Sequence, residues 1–317
     1  MIRRLLPALA AVALLAQPAA AHERRIAVTF DDLPFQGAPA ATCDREAALA
    51  LATRFLNMLQ PLDAHATAFV NEGQVCEEHR DDILTVVLNA WLDAGVTLGD
   101  HGFSHMDINR VTAEEWLADM ERGAIHTRRV LEARGERLVW MRHPYLHAGD
   151  TPAKRAAADA GLARMGLRVA PVTLDNSDWM FAGLYRAAET DGDEAQKRRI
   201  GEAYVAYMAE IMDFWEPYSA EVAGGAEPAQ ILLLHANALN RDWYPKIHAL
   251  FLARGYRFVS LDEAMSDPLY ARPENYAGPN GMSWLHRWRL EAGETMRWEP
   301  DQPAWITEAF NAQTRAD

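Results

Sequence analysis

Short runs of apolar and β-branched residues alternate along most of the chain with stretches of helical periodicity. Strands are predicted at 26–30, 66–70, 96–99, 138–141, 168–174, 231–234 and 257–260. Helices fill the intervals. Asp44 caps one that runs to Gln60, where Pro61 stops it, and a second spans 78–94 and ends at Gly95. Thr112-Ala113-Glu114-Glu115 is a capping box opening a helix that carries Trp116, Met120 and Leu131 toward Gly135. Thr151-Pro152 starts another, closed by Gly161, and 195–215 and 242–254 complete the set. Strand–helix alternation repeated about seven times implies a parallel sheet, closed or nearly closed into an α/β barrel. The expected fold is therefore a distorted (β/α) barrel of about seven parallel strands over residues 22–269. After Ser260 the rhythm stops. Residues 270–317 hold Trp284, Trp288, Trp298 and Trp305 among several prolines and glycines, and read as an irregular extension packed on the barrel.

The first 21 residues stand apart. Arg3 and Arg4 precede an apolar run from Leu5 to Ala16, and Ala19-Ala20-Ala21 supplies a small-residue cleavage site, the pattern of a secretory signal peptide. The run is too short for a membrane anchor. The expected address is periplasmic or secreted, with no stable membrane insertion. Cleavage would remove two arginines and no acid, taking the formal net charge from −14 to −16. So acidic a surface argues against nucleic acid or anionic lipid as a partner. No protein partner can be inferred. Cys43 and Cys76 are the only cysteines, and export makes one disulfide or two buried thiols the alternatives.

In a barrel of this kind chemistry sits on the loops after the C-terminal ends of the strands. The reactive residues fall there. Asp31 and Asp32 follow the first strand, His101 and His105 the third, Arg142 ends the fourth, Asp175 and Asp178 follow the fifth, and His235 follows the sixth. Two adjacent carboxylates turned toward one cavity repel unless a cation sits beside one of them, which suggests one on a metal and one free as a base. An Asp-Asp turn is the bland alternative. His101 and His105, four apart around Gly102, do not form the helical metallopeptidase motif. With Asp32 they offer two imidazoles and one carboxylate, a set that suits catalytic zinc and equally non-haem iron(II).

These stretches together resemble the polysaccharide deacetylase family (carbohydrate esterase family 4, the NodB-homology domain). Thr29-Phe30-Asp31-Asp32, His101-Gly102-Phe103-Ser104-His105, Arg142-His143-Pro144-Tyr145, Asp175-Asn176-Ser177-Asp178-Trp179 and Leu233-Leu234-His235 match its five motifs in order. The resemblance implies a metal-dependent hydrolase that removes N-acetyl groups from an amino-sugar polymer or oligomer. It implies that Asp32, His101 and His105 bind one divalent ion, most simply zinc, and that Asp31 is the general base. Arg142 would hold Asp31 through a bidentate pair, and the Tyr145 backbone N–H would stabilise the oxyanion. His235 would protonate the leaving amine under the influence of Asp178, with Trp179 and Leu233 walling the acetyl pocket.

The chain departs from the family pattern at His143, where Pro is usual, at Leu146, where Gly is usual, and at Asp100, where Asn is frequent. The stretch between Trp179 and Ile231 is long and helical. His65, His143 and His147 read as ordinary residues, the last two near the cleft edge, and Asp175 as a loop residue. Two other readings stay open: a hydrolase of another amide or of an O-acetyl ester, and a non-catalytic carbohydrate-binding relative. An iron(II) oxygenase would have no use for Asp31, Arg142 and His235.

Overall fold

The computed structural model describes residues 23–38, 41–225 and 227–315. The proposed export segment lies outside them. Among the described residues seven strands form one parallel sheet: β1 (Arg24–Leu33), β2 (Thr67–Val70), β3 (Thr97–Asp100), β4 (Trp140–Met141), β5 (Arg168–Val169), β6 (Gln230–His235) and β7 (Tyr256–Phe258). Their order is β5-β4-β3-β2-β1-β6, with β7 also on β1. Each strand lies where an apolar run predicts one. The stretch 168–174, expected as a single strand, is divided. Arg168 and Val169 pair with β4, and beyond Pro171 the chain swings to β6 through a bridge between Leu174 and Leu232. Proline has no N–H to give a ladder, so the strand breaks there. The bridge joins the two edges of the curled sheet and makes the distorted barrel.

Around it run α1 (Arg45–Leu59), α2 (Arg80–Asp93), α3 (Ala113–Gly123), α4 (Ile125–Ala133), α5 (Pro152–Met165), α6 (Asp178–Thr190), α7 (Glu194–Ala223), α8 (Ala238–Ala253), α9 (Leu261–Ala264), α10 (Trp284–Glu291) and α11 (Ala304–Gln313). Asp44 and the Thr112–Glu115 capping box start α1 and α3 as expected. None of the helices among the described residues is long and apolar enough to cross a membrane.

Several helix limits differ from expectation. The helix opened by Thr112 is two helices meeting at Gly123 and Ala124. Gly161 lies inside α5, against Leu117, and Gly166 in the left-handed conformation ends that helix instead. Gly161, expected as a helix stop, instead serves the close approach of Leu117 from α3. α6 begins at Asp178, a residue expected in a loop, α7 continues through Pro217, and α8 starts at Ala238. The C-terminal extension, expected to be irregular, contains α10 and α11, and Trp284 and Trp288 are buried as packing residues while Trp298 is exposed.

Alternation along β1 sorts its side chains. Ile26, Val28 and Phe30 pack with the helices in the large apolar cluster, while Ala27 joins a separate small cluster with Phe69, Trp140, Ala170 and Ile231. Thr29 and Asp31 continue the face of Ala27 toward the strand's C-terminal end. The inward face thus begins apolar and becomes polar at the rim. Cys43 and Cys76 are disulfide-bonded, with Cα atoms 5.0 Å apart.

The loop after β3 is fixed by glycine contacts. A Cβ on Gly123 would lie 2.3 Å from the Gly102 carbonyl carbon, and one on Gly73 would lie 2.2 Å from the Phe103 carbonyl oxygen. Gly123→Ala should therefore displace the backbone between His101 and His105. The expected destabilisation is about 1–3 kcal/mol, the usual cost of overpacking. Calorimetry should show the lowered Tm together with weaker binding of a divalent ion; wild-type values for both would mean the loop is not held by this contact.

Candidate active site

Strand geometry alone would separate Asp31 from Asp32, because neighbouring residues face opposite sides. Asp31 pairs in register with His235 on β6, so these two side chains share the inward face. Asp32 is brought to the same side by an irregularity. The β1–β2 register shifts between Phe30 and Leu33, and Asp32 has a φ of 66°. A left-handed conformation at a non-glycine residue costs about 1–2 kcal/mol. His105, Tyr145, Leu146 and Ser177 also have φ between 53° and 58°, and all five residues line one cleft of about 540 Å³. Backbone strain of this kind collects where a site demands a particular side-chain direction.

The cleft is lined by Asp31, Asp32, His101, His105, Tyr145, Trp179, Leu233 and His235, with Gln36, His143, His147, Asp175 and Gly281 among their neighbours. Arg142 and Asp178 are buried behind it. The structure therefore brings every sequence-predicted site residue to one place; His65 lies elsewhere.

Asp32 Oδ1 is 3.7 Å from Nε2 of His101 and 3.7 Å from Nε2 of His105, and has no hydrogen-bond partner among the described residues. The three ligand atoms lie within 4.8 Å of one another. Ligands about 2.1 Å from a tetrahedral ion stand about 3.4 Å apart, so the set fits a divalent cation with little adjustment. Orientation supports the fit. His101 Nδ1 is 2.8 Å from the Arg142 carbonyl, which places the ring N–H there and leaves the Nε2 lone pair facing Asp32. Gln36 donates to Asp32 Oδ2 at 2.9 Å. Burial pushes the His101 imidazole down to about 3 and lowers His105 as well, so both rings are neutral, as ligands must be.

The loop between these histidines is held from several directions. Asp119 accepts from the Phe103 N–H at 3.0 Å and the Ser104 hydroxyl at 2.7 Å. Asn71 donates to the carbonyls of His101 and Gly102 at 2.8 and 2.9 Å.

The two adjacent aspartates differ in electrostatics. Burial raises the Asp31 carboxyl to about 6, against the opposing pull of Arg142 and His235. Burial also works against ionisation of Asp32, but His235, His101, His105 and the Gln36 hydrogen bond outweigh it and hold its carboxyl below the ordinary value. Environments that push two like groups apart suit them to different roles. Arg142 does not form the expected bidentate fork with Asp31. A single contact of 3.5 Å joins Nη1 to Asp31, while Nε donates to the Ala170 carbonyl and Nη2 to the Thr29 hydroxyl. These carbonyl and hydroxyl acceptors turn the guanidinium away from a parallel approach.

Across the cleft His235 Nδ1 is 2.6 Å from Asp178 Oδ1, and the His235 N–H donates to Asp178 Oδ2 at 2.8 Å. Asn240 donates to the same Asp178 oxygen at 2.6 Å. Burial disfavours a charged His235, but Asp178, then Asp32 and Asp31, more than offset it and raise the imidazolium to about 10.

Gln36, Asn71, Asp119 and Asn240 were not singled out from sequence. Asn71 directly follows β2, so the strand-end rule that located the other residues could have found it. The other three belong to common surface types, with no local signal.

The family model for polysaccharide deacetylase matches residues 19–165. No protein of curated function matches the chain. Among solved structures, the chitin deacetylase from the fungal pathogen Colletotrichum lindemuthianum is 20% identical with a TM-score of 0.50, covering 76% of this chain and 87% of its own. A polysaccharide deacetylase from Bacillus cereus is 19% identical with a TM-score of 0.49, over 75% of this chain and 91% of that one. The peptidoglycan deacetylase PdaC from Bacillus subtilis is 22% identical with a TM-score of 0.47, over 77% and 93%. At such identities the likeness is one of fold. The matched stretch carries the first three motifs, and through it the chain is similar to the polysaccharide deacetylase family.

Proposed function

We propose that the protein is an exported, metal-dependent deacetylase that hydrolyses the N-acetyl group of an amino sugar in a polymer or oligomer. One observation carries the reading. Asp31, with one buried oxygen lacking a hydrogen-bond partner among the described residues, stands between the Asp32–His101–His105 cluster and the His235–Asp178 pair in a single cleft. A binding module has no need of a base beside a metal ligand. The chitin and peptidoglycan deacetylases of like fold make N-acetylated carbohydrate the substrate class to try first.

A divalent ion held by Asp32, His101 and His105, with zinc the simplest choice, would polarise an acyl carbonyl and lower the pKa of a water. Asp31 takes the proton of the attacking water. Arg142 and the strand register hold it toward the cleft. The Tyr145 N–H donates to the developing oxyanion. Trp179 and Leu233 enclose the acetyl methyl. His235, kept charged by Asp178, gives its proton to the nitrogen as the C–N bond breaks, because an unprotonated amine is a poor leaving group.

The two aspartates should separate by experiment. Asp31→Asn is expected to keep the metal and lose turnover by about 10²–10⁴-fold, the usual contribution of a general base. Asp32→Ala should lose the metal itself. Metal analysis with acetate release from chitooligosaccharides and peptidoglycan checks both, and equal metal loss in the two variants would reverse or merge the assignments.

The pH profile tests the acid and base together. A base must be deprotonated, so kcat/KM should fall as pH drops through the raised Asp31 value of about 6. An acid must be protonated, so activity should fall as pH rises through the His235 value of about 10. A bound cation favours the deprotonated form of each neighbour and moves both limbs lower. His235→Ala should abolish the alkaline limb and impair N-acetyl substrates far more than activated acetyl esters, with metal content unchanged. Equal impairment on both substrates would make His235 structural.

A further inference from the structure

The C-terminal extension meets the cleft at the Pro144–His147 loop. Tyr145 and Leu146 there are consecutive left-handed non-glycine residues, with φ of 58° and 54°. The loop's own hydrogen bonds are two tight ones, Leu146 N–H to the His143 carbonyl and His147 N–H to the Pro144 carbonyl, each 3.0 Å. The rest of its support comes from far along the chain. Arg287, fully buried on α10, donates from Nη2 to the Leu146 carbonyl and from Nε to the Met282 carbonyl at 3.1 Å. Its guanidinium lies 3.8 Å from the Trp284 ring centre and its Nη1 is 3.5 Å from Glu274, which also pairs with Arg155 at 3.0 Å. On the other side Gly281 touches the loop so closely that a Cβ there would be 1.8 Å from the Tyr145 carbonyl oxygen. The extension is itself anchored to the barrel. Trp284 N–H donates to the Val172 carbonyl at 2.7 Å, and the Ser283 hydroxyl to the Thr173 carbonyl at 2.8 Å.

A buried arginine, here with Nη1 lacking a hydrogen-bond partner among the described residues, is a costly way to gain stability, since apolar residues of similar volume do as well or better. Its directional donors can instead fix a peptide plane. We propose that the C-terminal extension is a positioning element: Arg287 on the Leu146 carbonyl and Gly281 against the Tyr145 carbonyl clamp the two peptides that follow Tyr145, which fixes the backbone of that residue and so aims its N–H into the cleft. This rests on the reading of that N–H as the oxyanion donor. Arg287 is buried behind the loop, whereas Gly281 also borders the cleft; both act on the Tyr145 N–H through the loop.

Two variants test the clamp from opposite sides. Arg287→Lys keeps a charge beside Glu274 but removes the fork, and Gly281→Ala pushes on the Tyr145 carbonyl while leaving every buried charge in place. Each should lower kcat about 10- to 100-fold, less than the roughly 10²–10³-fold loss of a whole oxyanion donor. Metal stoichiometry should stay near the wild-type value in both, and KM should do so in Arg287→Lys, which leaves the cleft lining unchanged. Hydrogen exchange should rise at least about tenfold at the Leu146 and His147 amides and remain unchanged at residues 101–105. Where Arg287→Lys does not fold, Gly281→Ala decides. Unchanged exchange at 146–147, or a rise spread evenly over the barrel, would overturn the proposal. If the wild type releases no acyl group from any substrate, the reading of function fails instead, and the exchange measurement still decides the clamp.

Discussion

Two neighbouring residues of one strand cannot ordinarily reach the same cavity, and this site depends on their doing so. The left-handed kink at Asp32 resolves the conflict by spending one residue of β1 on a register shift. Asp31 then stays on the inward face beside His235, while Asp32 turns to the imidazoles of His101 and His105. Without the kink one carboxylate would point among the helices. Its cost is small beside a barrel core, but it must be met locally, and the parallel partners on both sides of β1 leave the strand no freedom to relax.

The rest of the cleft follows the same economy of rigid supports. His101 is oriented by a main-chain carbonyl of the Arg142 segment, Asp178 by the His235 and Asn240 donors, and the loop around Gly102 by Asp119 and Asn71. Few of these contacts are between residues close in sequence. The supports come from other strand ends and from α3 and α8, so the rim behaves as one polar network over an apolar plug of Ala27, Phe69 and Trp140.

Much of this arrangement is legible in the chain because the parallel barrel obliges strand ends to share a rim. Apolar runs locate the seven strands, and the residues that follow them locate Asp31, Asp32, His101, His105, Arg142, Asp178 and His235. What stays hidden depends on distant partners. Gly161 reads as a helix stop until Leu117 is seen against it, and Pro171 divides a strand whose apolar run continues. Arg142 suggests a fork to Asp31 because the competing acceptors, Ala170 and Thr29, carry no signal of their own. Asp119 and Arg287 are ordinary residue types whose meaning comes from loops 15 and 141 positions away.

The bridge between Leu174 and Leu232 has a mechanical meaning. Asp178 rides on that joint, where the Asn176 side chain donates to the Leu233 carbonyl at 2.8 Å. Asp32, His101, His105 and His235 stand on the continuous β6–β1–β2–β3 ladder. One wall of the cleft, the segment that leads to Asp178, is thus sewn by a few main-chain bonds onto an otherwise continuous ladder. A lengthened or shortened 170–177 segment would move Asp178 while the ladder kept its shape, so that wall can diverge faster than the rest of the cleft within one fold.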